Sequence, residues 1–177
     1  NLSLEPEIQA ALPLAATLAA AESRLLDRAH PAGYRVFESL LRRMQVPQEQ
    51  QEAKAGSNAA LRLCQRLYAN ARSFDALPFG RANLVLAEQS NDAALLRRSH
   101  TACGLLLADT ADIAGAIEHH THALRLASAQ DDTVEMSRVW NNIGVAFCVS
   151  GSFALAGAII IFLIGMEMIL GIELFKS

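Results

Sequence analysis

The chain has 177 residues, 52% of them hydrophobic and only 19% charged, with a net charge of -3 and a mean hydropathy of +0.22. That length holds one domain, or one domain with an appendage. The composition excludes a disordered or low-complexity chain, and the acidic balance leaves no electrostatic footprint for nucleic acid.

In chain order the pattern is helical throughout, with Ala and Leu dominant and the prolines mostly at segment edges. Ala10 to Ala29 reads as a first helix with Pro13 in its first turn, where a missing N–H costs little. His30-Pro31-Ala32-Gly33 is a break. Tyr34 to Met44 reads as a second helix, stopped before Pro47. Gln48 to Ala71 reads as a third, with Leu61, Cys64, Leu67 and Tyr68 at helical spacing. Ser73 to Gly80, which contains Pro78, is expected to be a turn region, followed by a short helix from Arg81 to Glu88. Asp92 can cap a helix running to Ala108. Asp112 opens another that ends near Ala129. Asp132-Thr133-Val134-Glu135 has the spacing of a capping box, and its helix runs to Val149. The three cysteines, Cys64, Cys103 and Cys148, form no C-x-x-C pair; small buried hydrophobes in a reducing compartment are expected rather than a disulfide framework. Because the sequence starts at Asn1, it reads as a processed product or an excised fragment, and no signal peptide is visible near the start.

A repeat of 40 residues runs through the second half. In the ungapped alignment of 84–116 with 124–156, Leu84, Leu86, Ala87, Asp92, Arg98, Gly104, Ala114 and Ala116 match Leu124, Leu126, Ala127, Asp132, Arg138, Gly144, Ala154 and Ala156. The matches include the cap and a mid-helix glycine. A glycine costs about 1 kcal/mol inside a helix, so two at one phase imply that another helix packs against the backbone there.

The run Trp140-x-x-Ile143-Gly144-x-x-Phe147-x-x-x-Gly151-x-x-x-x-Ala156 resembles a tetratricopeptide repeat. The preceding unit carries the pattern in Cys103-Gly104, Leu107, Ala116 and Ala123-Leu124, with His100 in place of the aromatic. A third unit would centre on Cys64, Leu67 and Ala76. The resemblance covers residues 57–156 and implies an all-α solenoid of antiparallel helix pairs, each burying its apolar face only by stacking on a neighbour. The expected organisation is a divergent N-terminal helical part over 1–56, repeats over 57–152, and an apolar helix over 153–175.

The tail departs from the repeat. From Phe153 to Ile172 a single charge, Glu167, interrupts 20 residues, close to the apolar length that spans a bilayer. Residues 154–168 resemble a membrane helix of the MarC family of multi-pass bacterial membrane proteins. Three readings stay open here: a transmembrane anchor, a buried final helix, or a segment foreign to the repeat.

No nucleotide-binding or nucleophile motif occurs, so neither an enzyme nor a cofactor is expected. Carboxylate pairs such as Asp131-Asp132 sit at helix starts, where they complement the dipole. The Arg42-Arg43 and Arg97-Arg98 pairs read as solvated faces, and Trp140 and Phe147 as core. In Glu118-His119-His120-Thr121-His122, the i,i+3 pair His119 and His122 comes nearest to a metal site, but two ligands do not suffice; a solvated face with one packed histidine is expected. The tetratricopeptide resemblance implies a groove for a protein or peptide partner. Its lining would be Arg98 and Thr101 in one unit and Arg138 and Asn141 in the next, with the two guanidinium groups on one wall. Leu105 and Val145 stand where the family's chaperone-tail clamp has Asn.

The resulting expectation is a non-catalytic interaction scaffold, in the manner of repeat arrays beside bacterial signalling domains, cytoplasmic and anchored to the inner membrane through 153–172. The alternatives are a small integral membrane protein whose C-terminal helix is the functional part, and a chimera of unrelated segments. A homo-oligomer is left open.

Overall fold

The computed structural model describes residues 13–26 and 32–151, together with Gly157 and Ile159, and all regular structure among them is helical. Seven helices follow in order: α1 (Leu14–Leu26), α2 (Ala32–Met44), α3 (Gln50–Ala69), α4 (Ser73–Gln89), α5 (Ala93–Asp109), α6 (Ile113–Ser128) and α7 (Thr133–Val149). The chain divides into two compact units between Leu95 and Leu96, inside α5.

The turns between the long helices repeat every 20 residues. Ala71, Asn91, Ala111, Asp131 and Gly151 all have positive φ, between 50° and 77°. The N–H groups of Arg72, Asp112 and Asp132 each reach back to a carbonyl five residues earlier, on Leu67, Leu107 and Ala127, at 2.8–3.1 Å. This six-to-one bond closes a helix C-terminus around one left-handed residue. At the Asn91 turn a hydroxyl takes its place: Asp92 N–H donates to Ser90 Oγ at 3.2 Å, and Ser90 O–H donates to Ala87 C=O at 2.7 Å.

Each of the last three turns then starts a helix with an aspartate. Asp92, Asp112 and Asp132 accept the N–H of Leu95, Gly115 and Glu135 at 3.0–3.1 Å, satisfying one orphan donor at each helix start. Asp132-x-x-Glu135 makes only half of a capping box. The Glu135 carboxylate turns away to Arg97 and Arg138.

The first unit packs α1 against α2 and α3, and α3 against α4. Leu14, Leu18, Leu40, Met44, Leu63, Leu67, Phe79 and Leu86 are buried at its centre. At Gly56 the added Cβ of any other residue would lie 3.0 Å from Leu14 and 3.4 Å from Leu86, so these two leucines sit directly on the α3 backbone. Polar ties hold the edges: Arg66 pairs with Glu22 at 2.5 Å, and Arg43 donates to Thr17 Oγ1 at 2.8 Å. Lys54 pairs with the cap Asp92 at 2.8 Å. The hydrogen bond from Lys54, followed by the Leu95 N–H, holds the Asp92 carboxyl below its usual range.

One expectation fails in this unit. Ser73 to Gly80 is no turn: α4 runs unbroken from Ser73 to Gln89 with Pro78 inside it. Proline there removes the N–H that would bond the Phe74 carbonyl, one turn from the helix start. Phe74 is 77% exposed, so water can reach that part of the helix. Buried Ala76, Phe79 and Ala82 then keep the segment helical against the core.

In the second unit, Ala123, Val139, Ile143 and Ile159 form a buried cluster, with Leu124, Trp140 and Phe147 packed on it. This places the two aromatics as core. The glycine argument also holds. A Cβ on Gly104 would come within 2.6–2.9 Å of the His120 ring, and one on Gly144 within 3.4 Å of Ile159. Cys64 and Cys103 are buried; Cys148 is only partly so. No helix among the described residues is long and apolar enough to cross a membrane. The apolar run 153–172 lies outside them apart from Gly157 and Ile159.

Candidate functional site

The candidate site belongs to the second unit, on α5, α6 and α7. Because α6 returns the chain between them, α5 and α7 run in the same direction. They are tied by Arg97, which lies 2.6 Å from Glu135 and 3.6 Å from Asp132. Arg97 is therefore not part of a solvated face. Only 8% of it is exposed, because two carboxylates at the start of α7 accompany its charge inward. At the equivalent positions of the repeat, Ser57 and Ser137 are also buried. A polar residue at this phase is thus a feature of three helices, with Arg97 its longest version.

The four groove residues fall on the outer sides of α5 and α7. Arg98, Arg138 and Asn141 are exposed, and Thr101 is half-buried with its hydroxyl donating to the Arg97 carbonyl at 3.1 Å. Arg138 pairs with Glu135 on its own helix at 2.6 Å while its side chain stays 68% exposed. Three valines extend the outer row of α7: Val134, Val145 and Val149 are 46%, 48% and 60% exposed. The row Val134, Arg138, Asn141, Val145, Val149 follows helical spacing, so a single face combines a cation, an amide and apolar side chains. On α5 the residues 40 positions earlier are Ala94, Arg98, Thr101, Leu105 and Asp109, each exposed or half-buried.

On the α5–α6 side, histidines meet. His100 Nδ1 lies 3.0 Å from His119 Nδ1, and the His122 ring stacks on His100 with centroids 4.9 Å apart and planes at 15°. The expected pairing of His119 with His122 along one helix thus omits its central member, which comes from α5. A face-to-face stack also directs the ring nitrogens of His100 and His122 sideways rather than at a common point. Among the described residues no group of three His, Cys, Asp or Glu is arranged to hold a metal ion. Chain arithmetic could have found His100. A hairpin closing at Ala111 brings residues about ten before the turn opposite residues about ten after it.

His120 is fully buried beneath Gly104, and neither ring nitrogen has a hydrogen-bond partner. Burial, reinforced by the charge His119 would carry, lowers its pKa to about 4. Burial and then the neighbouring His119 and His122 lower His100 to about 4 as well. Both rings are neutral at pH 7.

Comparison with models of known protein families finds no match, and comparison with curated proteins finds none either.

Proposed function

We propose that the chain is a non-catalytic, tetratricopeptide-like scaffold that grips an extended peptide or partner segment on the outer faces of α5 and α7. The observation that carries this reading is the agreement of two helices 40 residues apart. Arg98 and Arg138 are exposed at one phase, while Cys103 and Ile143, and Gly104 and Gly144, are buried at another. A repeat that keeps its inner face for packing leaves its outer face free to be shaped by a ligand. Two arginines on parallel neighbouring helices suit a carboxylate or phosphate, and the valine row suits an adjacent apolar side chain. The ligand class is therefore an acidic peptide with apolar positions, of the kind a signalling partner would present. The apolar run 153–172 is proposed as the tether that holds this scaffold at a membrane.

Panning a displayed peptide library against the full chain tests the reading. Acidic-apolar peptides should be enriched, and the Arg98→Ala/Arg138→Ala double variant should lose about tenfold or more in affinity, since a charge-assisted hydrogen bond contributes roughly 1.5–3 kcal/mol. Unchanged affinity would remove these arginines from the site, and no enrichment at all would remove the scaffold reading.

A further inference from the structure

We propose that His100, His119, His120 and His122 form an acid-sensitive latch, which holds α5 to α6 while its rings are neutral and releases α6 when they are protonated. Two contacts of different kinds carry this.

The first is the 3.0 Å approach of His100 Nδ1 to His119 Nδ1. One nitrogen must donate and the other accept. A first proton can be accommodated, because an imidazolium still donates to a neutral ring. A second cannot, because both nitrogens then carry hydrogen. His122, stacked on His100, adds a third ring whose charge repels the other two.

The second contact is His120 under Gly104. The ring is fully buried without a hydrogen-bond partner, and a Cβ on Gly104 would come within 2.6 Å of it. The α5 backbone therefore lies directly on the ring. A neutral imidazole tolerates such a place at some cost. An imidazolium, with two N–H groups and no acceptor, does not. Protonating His120 requires α6 to move away from α5.

The titratable groups that act on these rings come from both helices: His100 from α5, His119 and His122 from α6. Each opposes a further proton. Glu118, beside them in sequence, is exposed. The sign follows. Both His100 and His120 have folded-state values near 4, below the ordinary 6.5, so the open state binds more protons. The closed state is fully favoured above pH 6.5 and loses that advantage as pH falls toward 4. For His120 alone, going from pH 7.5 to pH 5 shifts the closed-to-open ratio about thirtyfold.

The test is amide hydrogen exchange of the full chain at pH 7.5 and pH 5, corrected for intrinsic rates, in the presence of a metal chelator, with carbon-13 labelling of the histidine rings for their titration. The expected result is a loss of protection in α6 and the facing part of α5 that exceeds the loss in α3 and α4 by about tenfold or more. The His120 ring should titrate well below 6.5. His100→Phe, which places an aromatic where the next unit has Trp140, should keep the fold and reduce the acid response. A His120 ring that titrates near 6.5, or protection lost equally in all helices, would overturn the latch. So would an acid response that appears only without chelator, since a bound metal would then be its source. The ring titration is read on the unmodified chain, so the decision does not depend on any variant folding.

Discussion

At the scale of single residues, Gly104 and Gly144 occupy one phase of the repeat but face different neighbours. An alanine at either position gains about 1 kcal/mol in helix propensity. At Gly104 the new methyl would meet a buried imidazole at 2.6 Å, with a packed helix behind it. Overpacking of that kind costs about 1–3 kcal/mol. At Gly144 the nearest atom is Ile159 Cγ2 at 3.4 Å, an ordinary contact. Gly104→Ala is therefore expected to lower the urea midpoint, and Gly144→Ala to leave it unchanged or raise it. Equal effects from the two would show that the His120 contact places no limit on the glycine. The need for both glycines was legible in the sequence, because a helix tolerates glycine only for a reason. That His120 was the reason at one of them was not legible, since a histidine in a run of three gives no sign of which ring points inward. Arg97 shows the same limit. Beside Arg98 it reads as half of a solvated pair, and only the three-dimensional approach of Asp132 and Glu135 lets it go inside.

At the scale of elements, the 20-residue spacing of the turns rests on paired devices: a left-handed residue that closes one helix and an aspartate that opens the next. The left-handed residue is glycine only at Gly151. At Ala111, with φ of 67°, an ordinary side chain occupies a conformation that costs roughly 1–2 kcal/mol. Ala111→Gly relieves that strain and gives back part of it through the freer unfolded chain, about 0.4–1 kcal/mol. A net gain of about 0.5–1 kcal/mol is expected, together with a small rise in Tm in thermal unfolding. Asp112→Ala, one residue on, removes the acceptor for the Gly115 N–H and should cost about 1 kcal/mol. The pair of variants thus moves stability in opposite directions from adjacent positions, and a Tm that falls for both would show that Ala111 is unstrained. The sequence made the capping aspartates visible, because Asp92 and Asp132 recur at the 40-residue period. It hid α4, because Pro78 carries a strong local signal for a break, and that signal yields here to the burial of Ala76, Phe79 and Ala82.

At the scale of the whole molecule, the composition is a mixture of two materials. Residues 153–177 hold three of the chain's 33 charged side chains, Glu167, Glu173 and Lys176, and the rest of the charge belongs to the helical array before them. The proposed tether makes this asymmetry a matter of partitioning. A lysine at the centre of a membrane helix opposes insertion by roughly 2.5–3.5 kcal/mol. The replacements Ile160→Lys and Ile164→Lys lie one helical turn apart near the middle of the run, so their effects should combine. The full chain made in a bacterial host is expected to sediment with membranes, to resist extraction by high salt and carbonate, and to dissolve in mild detergent. The double variant is expected to move to the soluble fraction while keeping its helical circular dichroism. Salt-extractable binding of the unmodified chain would point instead to a peripheral contact through charge, which screening removes. Recovery of the unmodified chain as a soluble monomer without detergent would end the tether reading. The ligand-binding reading would survive that result, because Arg98 and Arg138 belong to helices that fold on their own apolar core, whatever the tail enters.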